Sequence, residues 1–159
     1  VAMVGALGWV VSGSLEEPVT KVGDTAPMFS VVSETGKTLT PTNFGGKLLV
    51  LNFWAAWCGP CVQEVPSLQA FQQAFASQGV VVLGISVDTN PNLYKRFRDT
   101  YGVTFETSRD PGWDIAARYG TFQLPETYII DSSGKVVQKV IAAQNWMNPE
   151  FVASVKKLL

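Results

Sequence analysis

The sequence predicts an α/β domain with a β-hairpin extension on its N-terminal side, and three observations carry that prediction. Two continuous apolar runs, Leu48–Trp54 and residues 80–87, read as buried parallel strands. Each run is followed by a segment whose apolar residues recur at helical spacing, so that strand, helix, strand and helix make a right-handed βαβ unit. Turn-forming clusters around Gly36 and Gly134 each join two short strand-like runs. With 159 residues, 47% of them apolar, the chain can bury a core without disulfide staples.

Residues 1–11 carry no charge and lead through Ser12-Gly13-Ser14 to Glu16-Glu17-Pro18. Eleven such residues are too few to cross roughly 30 Å of hydrocarbon, and neither an initiator Met nor a basic segment precedes them. Residues 1–18 therefore read as the remnant of a signal or membrane anchor plus a linker, with the domain over 19–159. The matching expectation is an extracytoplasmic protein, in a bacterial periplasm or on the outer face of the cytoplasmic membrane, either anchored or secreted.

Residues 27–32 and 38–40 form a hairpin across Glu34-Thr35-Gly36-Lys37. After the strand Leu48–Trp54 comes a helix over about 59–77, with Val62, Val65, Leu68, Phe71 and Phe75 on its inner face and a kink expected at Pro66. The second strand leads to Asn90-Pro91, which opens a helix through Leu93, Phe97 and Tyr101 toward Gly102. A loop at Arg109-Asp110-Pro111-Gly112 precedes a short helix through Trp113, Ile115, Ala116 and Tyr119. Residues 127–130 and 136–141 pair across the turn Asp131-Ser132-Ser133-Gly134. The last helix takes Asn148 as cap and Pro149 as first residue, and turns Phe151, Val155 and Leu158 inward.

Composition excludes several chemistries. A formal net charge of -1, with no Lys/Arg run longer than Lys156-Lys157, gives no nucleic-acid footprint and no basic membrane-binding helix. The chain has no histidine, which removes Cys-His and Ser-His-Asp nucleophile arrangements and leaves zinc only two soft ligands where a structural site uses four. Haem attachment needs His after the second cysteine, and Val62 stands there. No metal or cofactor is expected, and a protein or peptide partner is.

The only two cysteines, Cys58 and Cys61, lie in Trp57-Cys58-Gly59-Pro60-Cys61 at the junction of the first long strand and its helix. A spacing of three at the start of a helix brings the two sulfurs within bonding reach, so the pair can cycle between dithiol and disulfide.

From Val19 to Leu159 the chain resembles the thioredoxin fold, a central mixed β-sheet flanked by helices. It more closely resembles the extracytoplasmic thiol-disulfide oxidoreductases of the TlpA, ResA and CcmG type. The carriers are FWAAWCGPC at 53–61, Glu64-Val65-Pro66, GISVD at 84–88 and Leu124-Pro125-Glu126-Thr127. The resemblance implies a protein-disulfide reductase, with apocytochrome c in cytochrome c maturation as one candidate substrate and a membrane-embedded thiol reductase as electron donor. A monomer is the default expectation.

Cytoplasmic thioredoxins carry a buried acid six residues before the first cysteine, where this chain has Asn52. Glu64, three residues beyond Cys61, is expected to replace it from the neighbouring helix surface, in proton transfer and thiol tuning. Cys58 is the expected attacking thiol, since the helix N-terminus favours a thiolate there, and Cys61 the resolving one. The resemblance makes Pro125 the candidate cis-proline opposite the dithiol, with Leu124 offering backbone groups to a substrate strand. Trp57, Gly59 and Pro60 complete the expected substrate contact, and Glu126 is expected either to meet a partner or to be solvated. Trp54 reads as core, Trp113 and Trp146 as packing residues, and Asp88 as a strand end.

Three other readings compete. A thiol oxidase of the same fold is the runner-up within the redox class, set apart by Gly59-Pro60, which resembles the reducing members. A peroxiredoxin-like thiol peroxidase needs Pro seven and Thr or Ser three residues before the reactive cysteine, where this chain has Leu51 and Ala55. A non-enzymatic binding module would leave the dithiol incidental.

Overall fold

Seven consecutive residues with no polar side chain except Asn52 make Leu48–Trp54 the natural centre of a sheet, because a strand covered on both faces needs no polar alternation. The computed structural model describes residues 19–159 and buries all seven of these side chains. In chain order the elements are β1 (Val31–Val32), β2 (Thr38–Leu39), β3 (Leu48–Trp54), α1 (Gly59–Phe75, continued by a 3-10 turn at Ala76–Gln78), β4 (Val80–Ser86) and α2 (Pro91–Thr100). They continue with β5 (Glu106–Arg109), α3 (Asp114–Tyr119), β6 (Glu126–Asp131), β7 (Val136–Ile141) and α4 (Pro149–Lys156).

The main sheet has the order β5-β4-β3-β6-β7. β3 runs parallel to β4, and β4 to β5, whereas β6 lies antiparallel to both β3 and β7. This is the mixed sheet that the sequence predicts, and β1 and β2 form the expected separate hairpin, with Gly36 at φ +83° in its turn. Gly84 of β4 sits opposite Asn52 and under the indole of Trp54, where an added Cβ would come within 2.9 Å of Nε1. That indole packs at 5.7 Å from the Tyr94 ring and 4.4 Å from the Phe97 ring of α2.

Four expectations need correction. The strand β5 is absent from the sequence reading, because Glu106-Thr107-Ser108-Arg109 has no apolar pattern and is held by backbone pairing to β4. On α2 the inward residues are Tyr94 and Phe97, while Leu93 and Tyr101 are exposed, because the helix turns residues 94 and 97 onto Trp54. On α4 Val155 is buried and Phe151 half-buried, but Leu158 lies beyond the helix and is exposed. The hairpin β6–β7 begins one residue earlier than expected, at Glu126. The anchor and linker expectation for residues 1–18 falls outside the described residues. Among those described, no helix is long and apolar enough to cross a membrane.

Candidate active site

β3 ends at Trp54 and hands the chain to α1 through Ala55, Ala56 and Trp57, so the dithiol sits where the sheet's central strand meets a helix N-terminus. Cys58 is the N-cap of α1, and its sulfur accepts the Cys61 N–H at 3.3 Å. The first turn of α1 holds no acidic residue, so the positive end of the helix faces Cys58 Sγ without a competing carboxylate. Cys58 and Cys61 are joined in a disulfide with their Cα atoms 5.3 Å apart. Both are buried, while Trp57, Gly59 and Pro60 beside them are exposed, Trp57 to 65%.

The approach to Cys58 is pinned from β4. Asp88 is buried, and its Oδ2 accepts the Ala56 N–H at 2.8 Å and the Ser86 hydroxyl at 2.6 Å. Arg109 donates through Nη2 to the carbonyls of Asp88 and Thr89. Asp88 therefore does more than end a strand, because it fixes the backbone two residues before the first cysteine. Ala55 is fully buried and meets the site through its carbonyl, which accepts the Cys58 N–H at 3.2 Å. No hydroxyl stands at that position to polarise a peroxide.

Glu64 is not on the helix surface. It is 2% exposed and turns toward the sheet, where Asn52 Nδ2 donates to its Oε1 at 2.8 Å. Its Oε2 accepts from Trp146 Nε1 at 3.1 Å and from the Gln144 N–H at 3.3 Å. Asn52 also donates to Thr127 Oγ1 at 2.9 Å, which ties β3, β6 and α1 together at one point. The side chain at position 52 thus meets Glu64 directly, the amide of Asn52 gripping its carboxylate. Burial raises the Glu64 carboxyl above the usual carboxylate value of 4.5, against the opposing pull of the hydrogen bonds from Trp146, Asn52 and Gln144. Beside it lies an open cleft of about 450 Å³ between α1 and the loop after β7, lined by Gln63, Ser67, Gln144 and Asn145 among others.

The Leu124-Pro125 peptide is cis, as the sequence expectation has it. Pro125 is buried and Leu124 half-buried. Register brings them to the end of the sheet that carries the dithiol, since Glu126 pairs with Phe53 while β3 runs on toward Cys58. The Pro125 carbonyl accepts the Ala142 N–H at 3.1 Å. Glu126 is not solvated. It is 7% exposed, pairs with Lys139 Nζ at 2.8 Å and accepts the Tyr128 hydroxyl at 2.7 Å. Lys139 in turn donates to the Thr20 carbonyl at 3.0 Å, so this acid braces the loop segment at Thr20 against β6 and β7.

Sequence reasoning missed Trp146 and Asp88 as members of this site. Trp146 lies 82 positions from Glu64 and Asp88 lies 32 from Ala56, and no local spacing reports either contact. The buried polar letter in an apolar strand, Asn52, was the available signal that something polar must face it.

Residues 22–139 match the model of the AhpC/TSA family. Among curated relatives, the thiol-disulfide oxidoreductase ResA of Bacillus anthracis is 34% identical over 124 residues, which cover 78% of this chain and 72% of the relative. ResA of Bacillus subtilis (strain 168) is 31% identical over 141 residues, covering 87% and 78%. Among solved structures, a protein assigned as the thiol:disulfide interchange protein DsbE from Chlorobium tepidum superposes with a TM-score of 0.74 at 26% identity, covering 87% of this chain and 94% of that one. StoA from Bacillus subtilis shares the fold, with a TM-score of 0.69 at 20% identity over 84% and 96% of the two chains.

Proposed function

The chain belongs to the AhpC/TSA family and is a thiol-disulfide oxidoreductase, and we propose that it works as a reductase of disulfides in extracytoplasmic proteins, with Cys58 attacking, Cys61 resolving and Glu64 carrying the proton. The observation that carries this reading is the pairing of a helix-capping cysteine with a buried carboxylate on the same helix, held by neutral donors alone.

In the reduced protein the Cys58 thiolate attacks one sulfur of a substrate disulfide. The Cys58–substrate bond forms as the substrate's S–S bond breaks, and the departing sulfur takes up a proton. The helix N-terminus favours the thiolate form at Cys58 over the neutral thiol, which raises the fraction of the attacking species. Cys61 then gives its proton to Glu64 and attacks Cys58 Sγ. The second substrate sulfur leaves and is protonated, so the substrate gains two electrons and two protons while the enzyme is left as the disulfide seen here. A carboxyl raised by burial has proton affinity closer to that of a thiol than an ordinary glutamate has, which suits it to this exchange.

The substrate strand is taken to lie along Leu124 and Pro125, against the exposed indole of Trp57 and the Gly59-Pro60 turn. Glu126, paired with Lys139, supports that loop from within rather than meeting the partner. A membrane-embedded thiol reductase would return the electrons, a CxxCH segment of apocytochrome c is one substrate of suitable chemistry, and the domain would act as a monomer, tethered to or secreted across a membrane. Trapping tests the assignment: a Cys61→Ser variant should accumulate a dithiothreitol-labile mixed disulfide through Cys58. A mixed disulfide trapped on Cys61 in a Cys58→Ser variant, with none on Cys58 in Cys61→Ser, would reverse the two roles.

A further inference from the structure

We infer that Trp146 is a positioning residue of the proton-transfer machinery, its indole N–H fixing the Glu64 carboxylate in the orientation that serves the dithiol. The inference rests on the assignment of Glu64 as proton carrier and concerns how that carrier is held.

Trp146 is fully buried, and packing leaves it one pose. Its ring lies 5.6 Å from that of Phe71 on α1 and 5.1 Å from that of Phe151 on α4, the latter at 90°. Its backbone N–H donates to Ser67 Oγ at 3.1 Å, and the Ser67 hydroxyl lies 3.0 Å from the Glu64 carbonyl and 3.4 Å from that of Gln144. The loop after β7 is thereby stitched to α1 one turn beyond Glu64. From this fixed frame the indole N–H reaches Oε2, while Asn52 holds Oε1 from β3. With one oxygen claimed from each side, the carboxylate plane cannot rotate without breaking a buried hydrogen bond.

An indole N–H donates and never accepts, so it favours the ionised carboxylate over the neutral acid. It acts against burial, which favours the neutral form. Trp146 thus sets how far burial can push the carboxyl upward, in addition to where the carboxylate points. Such a contact is not forced by burying an indole in this protein, because Trp54 is also buried and its Nε1 has no partner among the described residues. The same loop begins at Ala142, whose N–H holds the Pro125 carbonyl, so one short segment touches both the substrate-binding turn and the proton carrier.

The test follows the Glu64 side-chain carboxyl by ¹³C NMR during a pH titration of the disulfide form, where no thiol titrates beside it. The parent is compared with Trp146→Phe and with a protein carrying 3-benzothienylalanine at position 146, which keeps the bicyclic shape and lacks the N–H. Both should move the Glu64 midpoint up by about one pH unit. An unchanged midpoint in the benzothienyl protein overturns the inference even if Trp146→Phe folds poorly.

The kinetic counterpart is the pH profile of mixed-disulfide resolution. Trp146→Phe should shift it upward in the parent and leave it unmoved in a Glu64→Gln background. An equal effect in both backgrounds would mean packing alone and would sink the inference. If Glu64→Gln leaves the parent profile unaltered, the assignment of Glu64 fails and the inference falls with it. If Glu64→Gln alters the profile and Trp146→Phe does not, only the inference fails.

Discussion

Two glutamates are buried at the same end of the sheet, and they are held in opposite ways. Glu64 meets an amide, an indole and a backbone N–H, all neutral. Glu126 meets the ammonium of Lys139 at 2.8 Å with a tyrosine hydroxyl beside it. A buried carboxylate facing a cation has its charge compensated and serves as a brace, whereas one facing, among the described residues, only neutral donors keeps a carboxyl that burial has raised, which is what the proton exchange proposed for Glu64 calls for. The lesson is that burial alone does not mark an acid as chemical. The sign of its partners does.

The sharpest way to break this contrast is at Lys139. A Lys139→Met variant strands Glu126 in the core without its cation, and urea unfolding at pH 7 should show a loss of about 3–5 kcal/mol. A loss below about 1 kcal/mol would mean that Glu126 is not braced as described.

Glu64→Gln should act on chemistry instead. Resolution of the mixed disulfide at pH 7 should slow on the order of 10²-fold, while folding stability changes by less than about 1 kcal/mol. Stopped-flow and denaturation measurements on one preparation read both quantities. A large stability loss with an unaltered rate would exchange the roles of the two acids.

The pH dependence of stability separates them further. Because the folded-state pKa of Glu64 is raised above 4.5, the native protein holds a proton that the unfolded chain has already released. That contribution is complete below about pH 4.5 and is lost as pH rises through the folded value, with a slope of at most about 1.4 kcal/mol per pH unit. Glu64→Gln should flatten this part of the curve, and an unchanged curve would show that burial does not raise the carboxyl.

The smallest effect is expected at Ala142, a non-glycine residue at φ +69° where the loop leaves the Pro125 carbonyl. Ala142→Gly relieves a left-handed conformation at the cost of added freedom in the unfolded chain, so stability should rise by no more than about 1 kcal/mol. A loss of several kcal/mol would show that the alanine methyl packs rather than strains.

What the sequence made legible follows a physical boundary. The strands β3 and β4, the α1 face through Val65, Leu68, Phe71 and Phe75, and the caps Asn90 and Asn148 were readable because each is written in neighbouring residues. The dithiol and the proline turn were readable as motifs. The polar strand β5 was not, since its pairing is made by backbone that any sequence carries. Nor were the partners of Glu64, because Trp146 and Gln144 reach it from a loop that only the folded chain brings near. Glu126 was misjudged for the same reason, its cation lying on the adjoining strand β7.

The central claim is that this dithiol reduces its substrates, and the equilibrium reduction potential of the Cys58/Cys61 pair tests it most directly. Purified protein would be titrated against a dithiothreitol redox buffer while tryptophan fluorescence is followed, with Trp57 next to the disulfide as reporter. The account predicts a single two-electron transition below about -200 mV. A potential near about -120 mV would instead describe a thiol oxidase and contradict it.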